Sequence, residues 1–148
     1  MKKFILIPSL MLATLTLAPT IGSAEKERVK TTLTCEQDEG DEWLEAGIAR
    51  NAHGKGYRLL VVLHDAQGDG SEKLIYDGDV FRSRVDGKTV YENSWKDAKL
   101  TVYKKNLRSK VRYGDLGVLK ENPEGPGSFM VNGLFCYPRG SISFDREE

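Results

Sequence analysis

Only a few residues have side chains suited to a reactive centre, and their spacing limits what that centre could be. His53 and His64 are the only histidines, and Cys35 and Cys136 the only cysteines. A zinc site takes three or four nitrogen, sulfur or carboxylate ligands. Two histidines in separate segments do not supply that set, so no metal is expected. His64 precedes Asp65, and serines are plentiful, so a Ser-His-Asp arrangement can be drawn. Hydrolases of that kind often hold the serine on a strained Gly-x-Ser-x-Gly turn, and the sequence contains no such pentapeptide. No catalytic residue is nominated on these grounds, and no cofactor is implied. A calcium loop can also be tried from Asp65, with Asp69 at position 5 and Gly70 at position 6. Position 3 is Gln67 and position 12 is Tyr76, where the motif needs a bidentate glutamate. A glycine-rich hairpin loop accounts for the same residues.

Binding chemistry has more material. Lys104, Lys105, Arg108, Lys110 and Arg112 form a basic cluster interleaved with Tyr103 and Tyr113. Aromatics among cations can hold nucleic acid or acidic sugars. The competing reading, preferred here, is an edge hairpin whose lysines and arginines block sheet-to-sheet aggregation. The acidic run of Glu36, Asp38, Glu39, Asp41 and Glu42 reads as a solvated loop. Trp95 lies in the polar stretch 92–97. Tryptophan usually buries most of its area, so Trp95 is expected to cap one end of the domain, with exposure for a ligand as the alternative. Trp43 is open between core and binding. The candidate binding residues are Tyr91, Ser94, Trp95, Lys96 and Tyr103.

Gly87-Lys88-Thr89-Val90-Tyr91, Trp95-Lys96, and Ala98 with Thr101-Val102-Tyr103-Lys104 resemble bacterial inhibitors of c-type lysozyme over about 20 residues. That resemblance implies a small exported β-barrel, a disulfide between early and late segments, and an inhibitory loop. The family's Ser-Gly-x-x-Tyr loop is not reproduced: Asp86 stands for the serine, and Tyr91 lies one place too far.

Compartment comes from the N-terminus. Lys2 and Lys3 precede an uncharged apolar stretch over residues 4–17, and Gly22 and Ala24 occupy small-residue positions before a cut. This is the pattern of a bacterial signal peptide cleaved after Ala24. The stretch is shorter than the roughly 20 apolar residues of a spanning helix, so no membrane anchor is expected after cleavage. Removing residues 1–24 leaves 124 of 148, one domain's worth at 25–148, with 20 basic against 22 acidic residues. Near-neutral charge argues against a nucleic-acid partner. A periplasmic or secreted protein keeps its disulfides, so Cys35 and Cys136, 101 residues apart, are expected to pair.

The elements follow from hydrophobic periodicity. Val29, Thr31, Leu33 and Cys35 alternate with polar residues as one half-buried strand, after a loose 25–28. Residues 41–51 fit a strand or a helix begun at Asp41, and Gly47 favours the strand. Residues 59–63 are an unbroken apolar run, expected to be buried on both faces. Asp77-Gly78 and Asp86-Gly87 are read as two hairpin turns in a meander. Residues 98–105 alternate, 110–120 hold one or two strands, and 122–127 form a Pro-Gly loop. Asn132-Gly133 is read as a bulge in the strand 129–137, and the tail as a short edge strand. The expected architecture is all-β, an antiparallel barrel or closed sandwich of about seven to nine strands with one disulfide. The leading functional expectation is an exported, non-enzymatic binding protein whose partner is an extracytoplasmic protein or small ligand. The alternatives are a periplasmic lysozyme-inhibitor-like protein and an extracytoplasmic hydrolase. An inhibitor needs a protruding loop, a small-molecule binder an open barrel mouth, and an enzyme converging titratable groups.

Overall fold

Among the described residues the alternating segments form ten strands, joined by turns and loops. The structure, a computed structural model, describes residues 25–38, 40–66, 68, 70–119 and 128–146. The expected signal peptide and the 122–127 loop lie outside them. The strands are β1 (Lys26–Lys30), β2 (Leu33–Glu36), β3 (Glu42–Arg50), β4 (Tyr57–Asp65) and β5 (Glu72–Val85). They continue with β6 (Lys88–Glu92), β7 (Ala98–Lys104), β8 (Arg112–Val118), β9 (Phe129–Pro138) and β10 (Ser141–Asp145).

Strands β2 to β9 pair with their sequence neighbours, and β2 pairs with β9 to close an eight-stranded antiparallel barrel. Cys35 stands directly opposite Cys136 in that closing pair, and the two form the disulfide. Alternate residues point inward, so Leu44, Ala46 and Ile48 of β3 meet Leu59 and Val61 of β4, Leu100 of β7 and Leu116 of β8. The barrel axis is therefore a packed core. Gly114 of β8 gives the disulfide its space: a Cβ there would lie 2.8 Å from Cys136 Sγ and 3.2 Å from Cys35 Sγ.

The ends of the chain depart from expectation. The alternation from Val29 to Cys35 is interrupted at residues 31–32, and the two pieces belong to different sheets. Thr31 N donates to Gly140 O at 3.0 Å and Thr32 N to Ile48 O at 2.7 Å, so the chain changes partner at the threonines. β1, far from loose, pairs with β10 as a two-stranded ribbon. This ribbon lies on the outer wall of β3, β4 and β5, where Ile142 and Phe144 pack against Leu60 and Val62. The tail is thus a cover on the barrel and not an edge strand of it. It also explains the continuous apolar run: Leu59 and Val61 face the core, Leu60 and Val62 face the ribbon, and all four are fully buried.

Asp86-Gly87 forms the expected hairpin turn, with φ of 52° and 78°. Asp77-Gly78 does not turn; β5 runs straight through it for 14 residues. Arg58 of β4 holds Asp77 with two hydrogen bonds of 2.7 Å across the strand pair. The Tyr76 side chain lies over Gly78, where a Cβ would come 2.6 Å from its hydroxyl oxygen. Cross-strand pairing and an aromatic cover replace the turn. Residues 41–51 contribute strand β3, and 110–120 the single strand β8. Gly133, at φ 74°, sits beside a register shift between β8 and β9, which is the expected bulge.

Barrel closure also removes the edge-protection reading of the basic cluster. β7 is bonded to β6 and β8, and β8 to β7 and β9, so neither strand has a free edge to guard.

Candidate functional site

The inward rows of side chains do not stay apolar to both ends of the barrel. On β3 the inward position after Ile48 is Arg50; on β5 those after Val80 are Arg82 and Arg84; on β8 the one before Gly114 is Arg112. Where the core stops, the pleat delivers guanidinium groups to the mouth. Arg50, Arg82 and Arg112 surround a cavity of about 220 Å³ with Tyr57 and Tyr91 among its walls. The two tyrosine rings meet edge to face, with centroids 5.6 Å apart. Burial pushes the Tyr91 phenol above its ordinary pKa, while the positive charges of Arg82 and Arg112 pull it the other way. None of the ion pairs among the described residues uses any of the three arginines.

Beside the cavity lies a larger groove of about 610 Å³ between the β5–β6 hairpin and the loop 105–111. Arg84, Lys88, Lys104 and Lys105 line it, with Asp86 as its acidic residue. The two spaces share Arg82, Thr89, Val102 and Arg112 as walls, and together they make up the cationic cleft at this end of the barrel. Positive charge at this density in a concave wall raises the local concentration of anions.

The candidate residues from sequence are dispersed. Tyr91 is buried and faces the barrel interior beside the arginines. Tyr103 lies against the outer groove, with Lys88 Nζ 5.3 Å from its ring centroid and its hydroxyl donating to Asp115 at 3.2 Å. Ser94, Trp95 and Lys96 occupy the β6–β7 loop at the opposite end of the barrel. Trp95 is 85 % exposed, so it does not cap the barrel as expected. Its loop is tied down by Asn93, whose Oδ1 accepts from the backbone of Asp97 and Ala98 at 3.0 and 3.1 Å. The Asn93 amide also donates to Asp97 and to the Tyr76 hydroxyl. With its loop tied down in this way, the indole projects outward.

A third group sits on the outer wall. Trp43 stacks on His64 at 3.8 Å, and His64 Nε2 lies 3.1 Å from Glu45 Oε1. The imagined pairing of His64 with Asp65 is not formed; Asp65 Oδ1 accepts from Gly68 N at 2.8 Å. Burial pushes the Glu45 carboxyl above its ordinary pKa, and the His64 hydrogen bond only partly offsets this. Among the described residues no group of three or more histidine, cysteine or acidic side chains is placed to hold a metal ion. Tyr76, at the last position of the calcium pattern, packs against the barrel core.

Arg50, Tyr57, Arg82 and Arg84 escaped the sequence reading. The signal was present: each continues the inward, two-residue alternation of an apolar strand, at the same end of the barrel. Without the strand directions fixed by closure, these positions could not be seen to converge. No protein-family model, curated protein or solved structure gives a significant match to this chain.

Proposed function

We propose that the mature chain is an exported, non-enzymatic binding protein that seats an anionic group in the mouth of its barrel. One observation carries the reading: Arg50, Arg82 and Arg112 converge on a tyrosine-walled cavity without a carboxylate partner among the described residues. Guanidinium groups recognise carboxylate, sulfate and phosphate through paired N–H donors. Three of them crowded together repel one another, and an anion relieves that repulsion. The disulfide fits the oxidising compartment that a signal peptide would reach.

Titration calorimetry of the mature protein with citrate and with inorganic pyrophosphate tests this. Binding is expected for at least one, weakened at least tenfold, about 1.4 kcal/mol, by Arg82→Gln with Arg112→Gln. Lys99→Gln, an exposed change away from the mouth, is expected to leave it unaltered. Binding of neither anion, or binding indifferent to the arginine changes, overturns the proposal.

A second reading, inhibition of a lysozyme-like enzyme by an inserted loop, is favoured by the pinned β6–β7 loop that projects Trp95. A rigid loop bearing an exposed tryptophan has the character of an interface anchor. Cell-wall lysis by lysozyme that proceeds unchanged in excess mature protein removes this reading.

A further inference from the structure

We infer that the ligand is an acidic polysaccharide, one end or branch of which fills the mouth while the chain continues along the outer groove. This rests on the anion-binding reading above and extends it from a charged group to a polymer.

Size separates the two parts of the cleft. Ligand sites for whole small molecules commonly run from about 300 to 1,000 Å³. The mouth, at about 220 Å³, accommodates only a compact group, whereas the groove, at about 610 Å³, has room for a larger one. The shared wall of Arg82, Thr89, Val102 and Arg112 sets the two spaces side by side. A ligand that uses the mouth alone leaves Arg84, Lys88, Lys104 and Lys105 uncompensated.

Charge favours a ligand with several anionic groups. Among the described residues the cleft holds seven cations and one acid, Asp86. The rest of 25–148 then carries 13 basic against 21 acidic residues. The remaining surface therefore repels a polyanion that the cleft attracts, which directs it to this end of the barrel.

The aromatic groups argue against a single-stranded nucleic acid. Single-stranded nucleic acids are held by bases stacked on open aromatic faces. Here Lys88 and Lys105 place their ammonium groups 5.3 and 4.5 Å from the ring centroids of Tyr103 and Tyr113. Tyr57 and Tyr91 are packed against each other at 81° in the mouth. What the groove offers besides charge is Thr89 and Asn106 for hydroxyl groups and the fully exposed Leu107 for the C–H face of a sugar ring.

The test uses the mature protein and uronic-acid oligosaccharides of one, three and six sugars, with hexathymidylate and a six-unit linear polyphosphate as comparisons. Affinity is expected to rise on the order of tenfold or more from the single sugar to the hexamer, as linked contacts add. Lys104→Gln with Lys105→Gln is expected to abolish that gain while citrate or pyrophosphate binding persists. Arg82→Gln with Arg112→Gln should lose both. No length dependence, or tighter binding of hexathymidylate or polyphosphate than of the hexasaccharide, overturns the inference. Retained binding of the small anions in that case leaves the mouth reading standing, whereas loss of every ligand defeats both.

Discussion

Glu45 shows how one side chain can set the acid–base response of the fold. It lies on the outer wall against Glu36 of β2 and His64 of β4, with Glu72 of β5 nearby. Burial raises its pKa above the ordinary 4.5, with smaller like-charge contributions from Glu36 and Glu72. A raised carboxyl binds its proton more tightly in the folded state than in the unfolded one. Stability is then full below about pH 4.5 and falls as pH rises through the folded value. Glu45→Gln keeps a hydrogen-bond acceptor for His64 and removes that loss. Its melting temperature relative to the parent is expected to increase from pH 4 to pH 7 and then level. A difference that shrinks over this range would mean that pairing with His64 outweighs burial. Gly114 makes the opposite kind of contribution, by omission, since the disulfide occupies the volume where its side chain would be.

At the scale of elements, the β1–β10 ribbon is the feature that most changes how the strands should be read. Its fully buried Ile142 and its neighbour Phe144 cover Leu60 and Val62 of the barrel wall. Gly47 of β3 permits the approach, since a Cβ there would come 2.8 Å from Thr31 Cγ2 and 3.5 Å from Ile142. Truncating a buried isoleucine to alanine removes transfer energy and leaves a cavity, at a cost of about 2–5 kcal/mol. Ile142→Ala is therefore expected to lower stability by about that amount in denaturant titration. It lies in the ribbon, away from the basic cleft, so binding of citrate or pyrophosphate at saturating protein stability should persist. A bulge in β5 serves the same two-sided burial. The register shifts at Val61/Val62, and Leu74 faces the ribbon while Ile75 faces the core.

For the molecule as a whole, the disulfide and the distribution of charge are the governing features. Cys35–Cys136 closes the barrel by joining its first and last strands, 101 residues apart in sequence. A cross-link of that span restricts the unfolded chain by about 4–5 kcal/mol in the chain-entropy account, and losses of about 2–5 kcal/mol are usual on removal. Reductant is expected to lower the unfolding midpoint accordingly, read by denaturant titration with and without it. An unchanged midpoint after verified reduction would show that strand pairing alone sustains closure. The cationic cleft at one end coexists with a net charge of −2 over residues 25–148. Net charge therefore concealed the site, because it averages over faces that a ligand meets separately.

The sequence by itself determined the strand character of most segments, since alternation with a period of two follows from the pleat whatever the strand's neighbours are. It also determined the cysteine pair, the Asp86-Gly87 turn and the bulge at Gly133, whose backbone demands are local. Only the tertiary structure decided that Asp77-Gly78 continues a strand, because the Arg58 ion pair comes from β4, 19 residues away and outside the local window that sets a turn. Only closure decided that Lys104 and Arg112 guard no edge. And only the common direction of the inward rows brought Arg50, Arg82 and Arg112 from three separate strands to one mouth. Convergence of this kind depends on strand order and stagger, which no local window of residues contains.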